Sequence, residues 1–549
     1  MSIMNSQRYR PTPAPRPSQR YWPDQTLSQA PRWLSTDLRD GNQALFEPMD
    51  SARKLPLFER LCAIGLREIE VGFPAAAAGE WAFVRQLIEE RRIPPGVRVS
   101  VLTAARADLI ERTLAALEGA EQVIVHLYHA IADDFREQVF AIDRGTLIDR
   151  VVAAVLQIRS HAEAHPQTRW CLQFSPEHFS SSDLDFALAV CDAVSLAWLQ
   201  GGERELIINL PATVECCPPH VYADRVEFMH RHLARRERLI LSVHPHNDRG
   251  CAVAAAEQAL LAGAERVEGC LFGHGERTGN VDLVTLALNL HSQGIDPQLD
   301  FSDIDSLVRL VESCTGLPVH PRHPYAGDLV YTAFSGSHQD AIRKALHAQR
   351  PDRPWQVPYL PIDPADVGRD YRSLVRINSQ SGKGGIAHLL EQRGVRLSRR
   401  HLIDFSARVK SQAELVGGEI DAEQIWQLFR AHYIDRPPVW RLLDYELTEA
   451  GRQISLHLEH NGQRLRCQGT GLGPLDAAVE ALQQAVEILA YSEFALSAGS
   501  AAEALALIEA RYQGQELYAA GIASNLLQAS LLALLNILNG AEGLSHQPG

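Results

Sequence analysis

The sequence predicts an α/β protein: a (β/α)8 TIM barrel, then a helical linker subdomain, then a smaller C-terminal α/β domain. Three observations carry this expectation. Between residues 32 and 292, eight short apolar runs alternate with eight helical stretches, the count of a closed barrel whose parallel strands are buried on both faces. The reactive residues fall at the C-terminal end of those runs, the edge on which such barrels build their sites. The rhythm changes after residue 293 and again near 440.

Residues 1–30 carry prolines at 11, 13, 15, 17 and 23. They have too little apolar surface to offset chain entropy, so they read as an extended or partner-wrapped arm. The barrel then spans 31–300. Its strands are expected at 32–41, 67–73, 98–106, 122–129, 169–177, 205–213, 239–248 and 266–273, with alanine- and leucine-rich helices between them. A doubly wound open sheet is the rival, weakened because no GxGxxG turn follows the first strand. Residues 301–435 read as a mostly helical linker interrupted by loops at 318–328 and 350–368. Residues 436–549 form the last domain. There 444–471 alternates like a pair of strands around His460-Asn461-Gly462. A helix follows at 475–491, then a weaker strand–helix repeat to about 540.

The composition narrows the function classes. The chain has 549 residues and a net charge of -14, which argues against nucleic-acid binding driven by a basic surface. Its nine cysteines form no CxxC pair and read as reduced thiols. No run of about 18 apolar residues appears, so no membrane association is expected. A soluble, cytoplasmic enzyme is the expectation.

The HPHND segment ends the seventh run. Side chains two apart on a strand share a face, so His244 and His246 point the same way. Two strand histidines alone are more often packing residues than ligands. Asp40, at the end of the first run, adds a hard oxygen donor on the same barrel edge. The three make an open divalent-metal site of the catalytic kind. Arg39 beside it offers a planar fork for a carboxylate or an oxyanion, or simply a loop ion pair. His126, Ser175 and Glu177 project into the same cavity, Glu177 as a base, an orienting group or a helix-start carboxylate. The loop GHGERTGN (273–280) lets backbone amides approach a ligand. Cys216 and Cys217 read as packing.

LSTDLRDGNQAL, EIEVGFP, HPHNDRG and LFGHGERTGNVDLVTLALNL resemble the enzymes that condense acetyl-CoA with a 2-oxo acid. Three further blocks, LPVHPRHPYAGDLVYTAFSGSHQDAI (317–342), WQVPYLPIDPADVGR (355–369) and RINSQSGKGG (376–385), resemble the longer form of the 2-isopropylmalate synthase family. The resemblance spans roughly residues 20–540. It implies metal ligands at Asp40, His244 and His246, with Asn280 at or beside the coordination sphere, and Arg39 facing the substrate carbonyl. It implies a 2-oxoisovalerate pocket of Leu102, His126, Ser175, Asn209, Pro211 and Thr213. Acid–base work falls to Glu177 and His338, with Tyr359 at the same site. The implied metal is magnesium, manganese or zinc acting as a Lewis acid, with acetyl-CoA as co-substrate and a monovalent cation as activator. The resemblance also implies a homodimer whose linker reaches over the partner's barrel. Finally, it implies a C-terminal leucine-sensing domain, including GTGLGPLDA (469–477), through which L-leucine inhibits; 516–530 reads only loosely like that domain's second repeat.

Sister enzymes use pyruvate or 2-oxoglutarate, namely the citramalate and homocitrate synthases. Against them, Leu102, Pro211 and Thr213 offer a small apolar wall suited to an isopropyl group, with no arginine evident for a second carboxylate. A hydroxymethylglutaryl-CoA lyase needs only the barrel. A metal-binding scaffold with a sensing tail would leave Arg39, Glu177 and His338 without work.

Overall fold

The computed structural model of the chain describes residues 15, 19–332, 336–350, 352–369, 383–391, 393–416, 420–448, 451–496 and 502–544. Much of the expected arm and most of the RINSQSGKGG block lie outside the described residues. The chain divides into two compact units, residues 1–330 with 365–369, and residues 331–364 with 370–549.

In the first unit the eight expected runs are eight parallel strands: β1 (Arg32–Ser35), β2 (Glu68–Gly72), β3 (Arg98–Ala104), β4 (Gln122–Ala130), β5 (Arg169–Glu177), β6 (Glu205–Ala212), β7 (Ile240–Pro245) and β8 (Arg266–Gly269). Each pairs with the next, and β8 returns to β1 with Trp33 opposite Val267, closing the barrel. The helices between them are α1 (Ser51–Ala63), α2 (Ala78–Glu89), α3 (Ala107–Ala116), α4 (Arg144–Ala164), α5 (Leu184–Leu199), α6 (Pro219–His232), α7 (Ala252–Leu261) and α8 (Leu283–Ser292); α9 (Ile304–Thr315) then packs against α1. Several start where an aspartate accepts a first-turn N–H: Asp50 for α1, Asp143 for α4, Asp183 for α5 and Asp282 for α8. Each such cap contributes about 1 kcal/mol.

The barrel interior is not purely apolar. Arg266, with no exposed surface, bonds Glu68 and Glu268, and Arg98 bonds Glu68 and Glu205. Charges buried this deeply persist only when paired. Part of the arm also has a fixed place. Arg20 donates twice to Asp224 of α6 at 2.8 Å, and Glu227 accepts the backbone N–H groups of Tyr21 and Trp22. Residues 20–22 are therefore clamped to this barrel's own helix.

The second unit begins with α10 (Gly336–Ala348), α11 (Lys383–Glu391), α12 (Arg399–Val416) and α13 (Ala422–Tyr433). It then runs through β9 (Trp440–Thr448), β10 (Gln453–His460), β11 (Gln463–Thr470), α14 (Pro474–Leu482), β12 (Glu487–Ala495), β13 (Ala504–Tyr512), β14 (Gln515–Ala523) and α15 (Leu526–Leu544). This is a βββα motif made twice, with sheet orders β11-β10-β9 and β12-β13-β14. The turn at Asn461-Gly462 is where it was expected, with φ of 50° and 80° as hairpin turns demand. Two expectations are corrected. The strand pair is a triplet, because β9 adds to the free edge of β10. The helix expected to run to 491 ends at Leu482, where Gln483 turns left-handed and the Val486–Ile488 stretch passes into β12.

The two halves share a packing device. A Cβ on Gly469 of β11 would stand 2.3 Å from the Ala477 carbonyl of α14, and one on Gly521 of β14 would stand 2.2 Å from the Ala529 carbonyl of α15. Each helix thus crosses its sheet with its backbone against a bare glycine. β13 is buried almost throughout. Ala504, Ala506 and Ile508 pack toward α15, while Leu505 and Leu507 pack with Phe405 and Phe429 of α12 and α13, the period of two that a strand covered on both faces requires. Among the described residues, no helix is long and apolar enough to cross a membrane.

Candidate active site

The C-terminal edge of the barrel opens on a cavity of about 260 Å³. All the expected barrel residues except Asn280 line it: Arg39, Asp40, Leu102, His126, Ser175, Glu177, Asn209, Pro211, Thr213, His244 and His246. Asn280 lies directly behind, donating from Nδ2 to Asp40 Oδ2 at 2.6 Å. Parallel register explains the convergence, for Leu102 stands opposite His126, Tyr128 opposite Ser175, and Pro211 opposite His244. Asp40 and Arg39 arrive differently, on a single wide helical turn, Asp37–Gly41, that follows β1.

A belt of side chains links these residues around the barrel. Arg39 donates from Nε to Glu70 at 2.6 Å, and Glu70 bonds His126 Nδ1 at 2.5 Å. His126 Nε2 meets the Ser175 hydroxyl at 2.7 Å, and that hydroxyl accepts from Asn209 Nδ2 at 2.9 Å. Asn209 also donates to Glu268 at 3.2 Å, which holds His244 Nδ1 at 3.0 Å. Arg39 closes the belt on Asp40 at 2.9 Å. One joint is longer than a hydrogen bond: the Nε2 atoms of His244 and His246 stand 3.7 and 3.8 Å from Asp40 Oδ2.

That joint fits a divalent cation. Three ligand atoms lie within 4.8 Å of one another, and ligands about 2.1 Å from one ion stand about 3–3.5 Å apart. Asn280 Oδ1 is buried without a hydrogen-bond partner, and Glu268 orients His244 from behind, as carboxylates do for ligating histidines. Burial alone would lower His244, but Asp40 and Glu268 raise it to about 9, whereas burial and then His244 push His246 down to about 4. Burial would likewise raise Asp40, yet Arg39 and the histidines hold it well below the carboxylate range. Asp40 is thus ionised and His246 neutral, the forms in which each can ligate a cation.

Glu177 differs from the other carboxylates. Burial raises it, and Arg39 offsets that only in part. His338 and Tyr359 belong to the second unit, where their rings stack at 4.1 Å. Sequence reasoning missed Glu70, Glu268, Tyr128 and Arg277. The first two had a signal: in Glu68-Ile69-Glu70 and Arg266-Val267-Glu268, charges two apart interrupt apolar strands and so share the interior face.

Residues 30–311 match the HMGL-like family, 328–391 the alpha-isopropylmalate synthase post-catalytic domain-like family, and 419–541 the LeuA allosteric (dimerisation) domain. The chain is 53% identical over 544 residues to a 2-isopropylmalate synthase of Cupriavidus taiwanensis, covering 98% of this chain and 96% of that one. It is also 53% identical over 542 residues to one of Azotobacter vinelandii, covering 98% and 97%. A crystal structure of hydroxymethylglutaryl-CoA lyase from Pseudomonas aeruginosa aligns with 53% of this chain and 95% of its own, at 22% identity and a TM-score of 0.43. With near-complete coverage at such identity, and with barrel and C-terminal domain both matched, the chain belongs to the 2-isopropylmalate synthase family.

Proposed function

We propose that the chain condenses acetyl-CoA with 2-oxoisovalerate and water to give 2-isopropylmalate and CoA, opening leucine biosynthesis, as a homodimer inhibited by L-leucine. The observation that carries this reading is the Asp40–His244–His246 joint in a small cavity that Leu102 and Pro211 also line. Those three residues, with Asn280 beside them, would hold magnesium, manganese or zinc, which when bound polarises the keto oxygen of the acid. A monovalent activator belongs to the same reading.

The remaining work falls to side chains. Arg39, fixed between Glu70 and Asp40, meets the charge that develops on the keto oxygen with a cation already oriented. Leu102, Pro211 and Thr213 receive the branched end of the acid, while His126, Ser175 and Asn209 present polar atoms to its other end. Glu177, raised by burial, takes the proton from the acetyl methyl group, since a base works best with its pKa near the working pH. The carbanion then attacks the keto carbon, and water cleaves the thioester, which makes the condensation irreversible. His338 and Tyr359 form the second acid–base element of this proposal, on the strength of their ring stack and the family resemblance.

Release of CoA thiol, followed with 2-oxoisovalerate, pyruvate and 2-oxoglutarate offered separately, tests the assignment. A clear preference for 2-oxoisovalerate is expected. Preference for either other acid would overturn the substrate and leave the condensation chemistry standing.

A further inference from the structure

A second set of donors lies behind the belt. Asp37 comes from the wide turn after β1, Cys270 follows β8, and His274 belongs to the GHGERTGN loop. Their ligand atoms all lie within 4.8 Å of one another. His274, nine-tenths buried, places Nε2 3.2 Å from Asp37 Oδ1, yet this nitrogen is buried without a hydrogen-bond partner. A nitrogen and a carboxylate oxygen so close, but not aligned to bond each other, have the spacing of two ligands sharing one ion, about 3.4 Å in a tetrahedral site.

The space between the donors is kept open by residue 41. Gly41 lies in a helical turn and has no positive φ, so its backbone does not call for glycine. A Cβ there would stand 2.9 Å from His274 Nε2 and 3.2 Å from Cys270 Sγ. The absent side chain therefore leaves room at the donor atoms themselves. Asp37 is oriented from outside by the Ser35 hydroxyl at 2.6 Å and the Leu271 N–H at 3.1 Å, the outer support that ligating carboxylates receive. Thr36 Oγ1 at 3.2 Å and Asn280 Nδ2 at 3.4 Å can both donate to a sulfur anion.

We propose that Asp37, Cys270 and His274 form a second cation site, selective for a soft divalent ion such as zinc or cadmium. The Asn280 amide divides it from the Asp40 site, lying 2.6 Å from Asp40 Oδ2 and 3.4 Å from Cys270 Sγ. Binding replaces the thiol proton with the metal: Cys–SH and M²⁺ give Cys–S–M⁺, and the proton leaves to solvent. One thiolate with one imidazole and one carboxylate excludes magnesium, which demands oxygen donors, and favours softer ions. The ion would tie the turn after β1 to the 273–280 loop, and both segments carry residues of the condensing site.

The test is a cadmium titration of the full chain in saturating magnesium, followed by thiolate-to-cadmium charge-transfer absorption, which an Asp–His–His site cannot produce. The band should saturate at one cadmium per chain and vanish in Cys270→Ser. His274→Asn, which spares the buried thiol, should weaken cadmium binding at least about tenfold, the lower end of what losing even an outer partner costs a metal site. Thermal melts check that both variants fold. Absence of the band in the parent chain, its persistence in Cys270→Ser, or unchanged affinity in His274→Asn would each overturn the site.

Discussion

Glu177, half-buried, and Glu268, fully buried, both stand at the barrel's catalytic edge, yet their surroundings send them in opposite directions. Burial raises Glu177, whereas Arg266 and His244 outweigh burial and hold Glu268 far below its ordinary range. A base must be ionised to act, so kcat/KM should fall as pH drops through the raised Glu177 value, which lies above that of an ordinary glutamate. Glu177→Gln should lower kcat by about 10²–10⁴-fold and abolish that acid limb; a pH–rate profile checks both. Glu268→Gln should act through His244, weakening divalent-metal affinity about 10–100-fold, as measured by calorimetric titration. His244 and His246 were legible in the sequence because strand periodicity puts them on one face; Asp40 was legible as the end of the first run, although the strand stops at Ser35 and a helical turn carries the aspartate. Glu70 and Glu268 were not singled out: the charges two apart at Glu68/Glu70 and Arg266/Glu268 mark an interior face but name no partner, and only closure of the barrel brings Arg39 and His244 to them.

At the scale of elements, the eight strands were readable because a strand covered on both faces must be apolar along its length, and the helices between them because they are rich in alanine and leucine. The C-terminal strands were harder. β9 and β12 expose much of their surface, so the apolar signal that marks a strand is diluted, and β12 was read as the tail of a helix. The glycine crossings make a sharp prediction there. Gly469→Val, and equally Gly521→Val, forces a side chain into a helix backbone and should cost about 3 kcal/mol or more, measured by denaturant unfolding. The α12 residue His401 offers another. Fully packed among Tyr433, Tyr518 and Phe429, it is pushed by burial down to about 4. The unfolded chain takes up a proton near 6.5 that the folded chain refuses, so this contribution is complete above that pH and is lost as pH falls toward 4. The loss amounts to about 3 kcal/mol. His401→Phe should flatten the acid side of the melting curve against pH.

For the whole molecule, the LeuA-type domain leads to the expectation of a dimer, checked by sedimentation, whose CoA-thiol release falls when L-leucine is added. Inhibition absent at every leucine concentration would reduce the domain to assembly alone. The belt from Arg39 through Glu70, His126, Ser175, Asn209 and Glu268 to His244 has a molecular consequence of its own. It draws on six of the eight strands and on the turn after β1, so it exists only while the barrel is closed. Protons on such a chain do not belong to individual residues: against burial, Arg39 lowers both Glu70 and Asp40, and Asp40 and Glu268 in turn raise His244. The catalytic edge should therefore titrate as one polyprotic acid with shared macroscopic constants. An NMR signal from His244 would report inflections shared with the carboxylates around it, and would lose them when the barrel opens.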